Sequence, residues 1–135
     1  MNPKFWGPHA WIFLHSITMS YPKEPTEQDK QIYLRFFNDL QNIIPCDKCQ
    51  YNYSNNLEKY PIESGLKTRE TLIQWLINIH NEVNKENGSP EYTYDQVIEE
   101  YQYKMMNLGR DQTMVYKIII VFLVIYIGYL FYKKK

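Results

Sequence analysis

The sequence predicts an all-α protein: a bundle of five short helices followed by one C-terminal transmembrane helix. Three observations point there. Apolar residues recur at spacings of three and four and nowhere alternate over a strand's length. Gly and Pro are sparse and sit at the boundaries between these segments. The stretch Val115–Tyr132, VYKIIIVFLVIYIGYLFY, is apolar except for Lys117 and runs into three lysines. Residues 1–112 are therefore expected to form one soluble domain, and 113–135 a membrane anchor.

The first helix is expected to start near Pro8, a residue that suits a first helical turn. Trp11, Leu14, His15 and Thr18 share one of its faces. The connection SYPKEPTEQ follows, in which Thr26 and Asp29 have capping-box spacing with Asp in place of Glu. The second helix runs to about Ile43 with an expected inward stripe of Ile32, Phe36, Leu40 and Ile43, and Pro45 ends it. The third starts at Cys46 and carries Cys49, Tyr53 and Leu57 toward Tyr60. YPIESGLKT reads as a loop. The fourth spans about Thr68 to Lys85, with Leu72, Trp75, Leu76, Ile79, His80 and Val83 inward, and NGSP stops it. The fifth covers about Tyr94 to Asn107, and LGRDQ leads to the apolar tail.

Charge narrows the function classes. Residues 1–112 carry 11 Lys and Arg against 15 Asp and Glu, with no basic stripe. That argues against nucleic acid, whose phosphates call for clustered cations. The tail carries Lys117, Lys133, Lys134 and Lys135 and no acid, as suits lipid headgroups. The N-terminal MNPKFWGPHAW lacks the apolar run of a secretory signal.

The two cysteines form I-P-C-D-K-C-Q, residues 44–50. Pro45 places Cys46 near a helix N-terminus, and Cys49, three residues on, shares its side. Unpaired N–H groups and the positive helix end favour a thiolate there, which makes the pair a plausible redox centre. Two alternatives stay open: inert buried thiols, or half a zinc site completed by His15 and His80. The absence of a β pattern disfavours a thioredoxin-type fold. A redox pair in an all-helical domain needs a further electron acceptor, and oxygen chemistry belongs to cofactors such as flavin.

Two more clusters mix Trp, His and Asn at helical spacing: W-G-P-H-A-W-x-x-x-L-H from Trp6 to His15, and Q-W-L-I-N-I-H-N-E-V-N from Gln74 to Asn84. Trp11 with His15, and His80 with Asn84, are i and i+4 pairs that offer flat apolar surface with polar edges. Taken singly, each of these residues reads as ordinary core. Together with I-P-C-D-K-C, with S-Y-P and with G-x-P-x-Y at residues 88–92, they resemble the Erv/ALR sulfhydryl oxidases, from Trp6 to about Tyr101. The short length and single cysteine pair are similar to the viral members.

The resemblance implies a four-helix bundle with a short fifth helix, holding FAD beside the C-x-x-C, as a homodimer. It implies that Cys46 exchanges with the outside thiol and that Cys49 lies against the flavin. Gly7, Trp11, His15, His80, Asn81, Val83, Asn84, Lys85 and Tyr101 are the implied FAD contacts, with Tyr101 where many members carry Trp. The implied activity forms disulfides in protein dithiols and passes electrons through FAD to oxygen, releasing hydrogen peroxide. With no further cysteine in the sequence, electrons are expected from a substrate dithiol or a small C-x-x-C shuttle protein. The rival readings are a membrane-anchored zinc-binding or scaffolding domain and a flavin-free dithiol isomerase.

In the tail, Ile118–Tyr132 is an apolar run of 15 residues, and 18 from Val115. A spanning helix needs roughly 20, so residues 115–132 are expected to form a short single span with Lys117 snorkelling. Lys104, Arg110 and Lys117 before it balance Lys133, Lys134 and Lys135 after it, which leaves its orientation open.

Overall fold

The computed structural model describes residues 1–107 and 112–133. Most of the LGRDQ link, including Arg110, and the end lysines Lys134 and Lys135 lie outside them. The elements are α1 (Pro3–Ser20), α2 (Glu27–Ile43), α3 (Asp47–Lys59), a 3-10 turn (Ile62–Ser64), α4 (Arg69–Asn87), α5 (Tyr94–Asn107) and α6 (Gln112–Lys133). No strand occurs among the described residues. The chain divides into two compact units, Met1–Val97 and Ile98–Lys135.

In the first unit, α1 starts five residues earlier than expected. Asn2 caps it by accepting the Lys4 N–H at 3.0 Å, and Pro3 takes the first-turn position that Pro8 was expected to fill. Pro8 instead sits inside the helix, where its missing N–H leaves the Lys4 carbonyl without its usual partner. α2 begins with the expected capping box: Asp29 N–H donates to Thr26 Oγ1 at 3.2 Å, and Thr26 N–H donates to Asp29 Oδ2 at 2.8 Å. Its inward stripe is rotated from the expected one. Ile32 and Ile43 are 45% and 68% exposed, whereas Phe37 is fully buried. The aromatic residue decides the phase: Phe37 meets Trp75 edge-on, with ring centroids 4.9 Å apart.

α4 is the central helix and packs against α1, α3 and the 3-10 turn, while α2 packs against α3 and that turn. The core gathers Tyr21, Phe37, Tyr53, Ile62, Leu66, Leu72, Trp75, Leu76 and Ile79. Ile73 and Ile77 are buried as well, whereas His80 and Val83 are only half-buried. The segment expected as a loop thus supplies two core residues, Ile62 and Leu66. Gly65 is required beside them: a Cβ there would stand 2.8 Å from Trp75 Cβ. Three aromatic residues tie their polar ends to backbone: Tyr21 hydroxyl to the Leu66 carbonyl, Tyr53 hydroxyl to Phe37, and Trp75 indole N–H to Tyr60.

NGSP ends α4 as a Schellman turn. Gly88 takes φ 67°, its N–H donates to the Lys85 carbonyl, and the Ser89 N–H donates to the Asn84 carbonyl. In the second unit, α6 has 22 residues. It contains the stretch Met114–Lys133, 20 residues with mean hydropathy 2.3 and none of it buried. By length and composition α6 is able to cross a membrane.

Candidate functional site

The cysteine pair sits where α2 is forced to stop. Pro45 offers no N–H to continue the helix, and the chain turns at once into α3. Cys46 is extended and caps α3, its Sγ accepting the Cys49 N–H at 3.3 Å. Cys46 and Cys49 form a disulfide with a Cα–Cα distance of 5.1 Å, and both are half-buried. The Cys46 N–H donates to the Ile44 carbonyl at 2.7 Å, and its carbonyl accepts the Gln50 N–H at 2.9 Å. The Gln50 side chain returns to the same corner: Nε2 donates to the Ile44 carbonyl at 2.8 Å and the Asn42 carbonyl at 3.3 Å. Gln50 was not singled out in the sequence. The available signal is an amide side chain one turn after a proline-terminated helix end.

The Trp and His residues of the other two clusters come together. Trp11 stacks on His80 with centroids 3.8 Å apart, and His15 Nε2 lies 3.1 Å from His80 Nδ1. His15 is buried, while Trp11 and His80 are half-buried, so the cluster forms a flat aromatic wall. α1 and α4 carry it, and their packing follows from Leu72 and Leu76, one to two turns earlier, and from the adjacent Ile79.

Asn84, one turn beyond His80, is buried, and its Nδ2 meets no hydrogen-bond acceptor among the described residues. The same holds for Asn56 Nδ2 and Trp6 Nε1. Buried donors are rarely left so. Orphaned donors together with stacked rings fit a ligand that carries ring carbonyls and phosphate oxygens, as FAD does. Gly7 has open space where a Cβ would point, and Val83 is half-buried.

Two other expected contacts are already engaged within the protein. Asn81 Nδ2 donates to the Tyr92 carbonyl and Asn81 Oδ1 accepts the Tyr92 N–H, both at 2.9 Å. This side-chain clamp holds the segment after α4 by the Tyr92 backbone. Tyr92 itself was not expected in the site, yet its ring lies 6.4 Å from that of His80. Lys85 bridges Glu82 at 3.1 Å and Glu91 at 3.2 Å. Glu82 also takes the Lys59 ammonium at 2.8 Å and the Tyr60 hydroxyl at 3.1 Å. Chiefly through the Lys59 hydrogen bond, its carboxyl is held down to about 2. Tyr101 lies in the second unit, where Lys104 Nζ stands 5.2 Å from its ring centroid.

Residues 8–103 match the family model described as the Erv1/Alr family. A probable FAD-linked sulfhydryl oxidase of Acanthamoeba polyphaga mimivirus is 44% identical over 100 residues, which are 73% of this chain and 70% of that protein. The mitochondrial FAD-linked sulfhydryl oxidase of Saccharomyces cerevisiae is 36% identical over 64% of this chain but only 44% of its own length. The chain thus spans less than half of that yeast relative. The crystal structure of the FAD-binding domain of yeast Erv1 superposes with a TM-score of 0.65 at 31% identity, over 69% of this chain and 87% of that one.

Proposed function

Because the chain belongs to the Erv1/Alr family and is an FAD-linked sulfhydryl oxidase with Cys46–Cys49 as its redox pair, we propose that the two cysteines divide the work. Cys46 exchanges with the substrate and Cys49 faces the cofactor. Helix register carries this reading. Cys49 lies one turn before buried Tyr53, on the inward stripe of α3, whereas Cys46 precedes the helix at the open corner.

A substrate thiolate attacks Cys46 Sγ, and Cys49 leaves as a thiolate in the first turn of α3, where the helix end favours negative charge. The substrate's second thiolate attacks its own sulfur in the mixed disulfide, and Cys46 leaves. The Cys49 N–H, aimed at Cys46 Sγ, stabilises that departing thiolate. The substrate dithiol has then become a disulfide, and two electrons and two protons rest on Cys46 and Cys49. Bound FAD supplies the two-electron acceptance and the reaction with oxygen, releasing hydrogen peroxide, that thiols lack.

Gly7, Trp11, His15, His80, Val83 and Asn84 hold the cofactor in this proposal. Asn81 and Lys85 contribute by seating the segment after α4. The electron source is a protein dithiol or a small C-x-x-C shuttle. Phe5, Ile12 and Phe13, all exposed along one face of α1, support a homodimer. Residues 113–135 anchor domain 1–112 to a membrane, supported by the length and apolar character of α6.

The zinc reading needs Cys46, Cys49, His15 and His80 to converge. Among the described residues no group of three or more His, Cys, Asp or Glu side chains is placed to share an ion. Purified protein is expected to absorb as oxidised flavin and to consume oxygen with dithiothreitol, and Cys49→Ala should keep the flavin but lose turnover. A colourless preparation inert toward dithiothreitol would falsify the oxidase reading.

A further inference from the structure

We propose that Gln50 is a positioning residue for the redox pair and that its side-chain amide sets the reduction potential at which Cys46 and Cys49 work. The inference deepens the oxidase reading and rests on it. A helix leaves its final carbonyls without partners, and at the end of α2 the proline prevents the chain from supplying them. Gln50 Nε2 donates to one of these, the Asn42 carbonyl, and to the carbonyl of the C-cap residue Ile44. The Ile44 carbonyl is also the acceptor for the Cys46 N–H, and the Gln50 main chain holds the Cys46 carbonyl. Cys46 is therefore held on both sides of its Cα, and Gln50 takes part in each hold.

The side chain suits the task by length and direction. Gln50 is the fourth residue of α3, and helical side chains lean back toward the N-terminus, here toward the end of α2. Asn is a methylene shorter, and Met has the length but no donor. A disulfide gains over its dithiol when the backbone already presents the two sulfurs to each other. With Cys46 fixed, the ordering cost of closing the ring is met in advance. Removing the donors frees the Pro45–Cys46 corner, lowers the effective concentration of one thiol at the other, and raises the reduction potential of the pair.

The test is an anaerobic equilibrium of the full-length protein with glutathione. Two glutathione thiols form one disulfide and give up two electrons and two protons, while Cys46–Cys49 becomes a dithiol. The reduced fraction is read by alkylation and mass shift. Gln50→Met is expected to shift the equilibrium about tenfold toward the dithiol, roughly 30 mV for a two-electron couple. Gln50→Lys, which restores an N–H donor, should remain within about twofold of wild type. Should the Met variant fail to fold, Gln50→Glu keeps the length, loses the donors and is expected to move the same way. A Met (or Glu) variant at the wild-type equilibrium, or one shifted no further than Lys, overturns the inference. Wild-type oxygen consumption with dithiothreitol is measured alongside. Its absence sinks the oxidase reading, while the glutathione equilibrium still decides the role of Gln50.

Discussion

Replacing Asn81 separates two ways of helping a cofactor bind. The side chain makes two hydrogen bonds of 2.9 Å to the Tyr92 backbone, one as donor and one as acceptor. Both are exposed, so each contributes about 0.5–1 kcal/mol net. Asn81→Leu should therefore cost about 1–2 kcal/mol of stability even in protein stripped of flavin. The loss should concentrate in the segment after α4, because Gly88 and Asn84 hold only its start. Hydrogen exchange at the Tyr92 amide is the sensitive assay, and protection there should fall by about tenfold, while the Leu72 and Leu76 amides keep theirs. Flavin affinity should weaken as a consequence, since Tyr92 flanks His80. If flavin-free Asn81→Leu has wild-type stability and wild-type exchange at Tyr92, and only flavin affinity drops, then Asn81 acts by touching the cofactor and the clamp argument is wrong.

Gly65→Ala should destabilise the first unit by about 1–3 kcal/mol, because the new methyl meets the Trp75 Cβ, a part of that side chain that has no freedom to swing away. Chemical denaturation of wild type and variant measures it; an unchanged midpoint would mean the turn and α4 separate easily. For Glu82 the folded carboxyl lies at about 2, below its ordinary 4.5. Its contribution is thus complete above pH 4.5 and lost as pH falls toward 2. The stability advantage of wild type over Glu82→Gln should shrink across that window, and a gap independent of pH would refute the pairing with Lys59 and Lys85. The anchor predicts retention of the full chain in membranes after alkaline extraction, with a variant ending before Met114 released.

What the sequence made legible was local chemistry. Thr26 and Asp29 announced the start of α2, NGSP the end of α4, and C-x-x-C behind a proline the N-terminus of α3; each depends on few neighbours and each holds in the structure. Phase was harder. Ile32, Phe36, Leu40 and Ile43 have helical spacing, but so do Tyr33, Phe37, Leu40 and Ile44, and only the tertiary fit of Phe37 against Trp75 selects the second set. The start of α1 was misread because two prolines compete for the first turn, and the Asn2 side chain, not Pro8, settles it. In the site, the two faces that make the aromatic wall followed from the i and i+4 pairs Trp11–His15 and His80–Asn84, while the stacking of Trp11 on His80 came from the packing of α1 against α4. The Asn81–Tyr92 clamp and the Gln50 capping followed from no such pair, since each joins segments whose relative placement no periodicity encodes.

The layout of α4 explains how one helix serves both stability and chemistry. From Leu72 to Ile79 its side chains fill the core on several sides, and from His80 onward they turn polar: His80, Asn81, Glu82, Asn84 and Lys85. In the first half Gln74 is the exposed residue, and its side-chain amide donates to half-buried Asn78. The second half packs less tightly and ends in an orphaned buried donor at Asn84. A large-to-small change in the first half, such as Leu76→Ala, removes core contact and should cost about 2–5 kcal/mol with or without flavin. A change at Asn84 removes a buried donor that meets no acceptor among the described residues. Asn84→Leu should therefore leave the flavin-free protein as stable as wild type, or more so, while weakening flavin binding. The boundary between fold and function on α4 thus falls within about one and a half turns, between Ile79 and Asn84. Comparing the two variants in flavin-free and flavin-loaded protein would locate it: equal losses in both forms for both residues would mean that α4 is structural throughout.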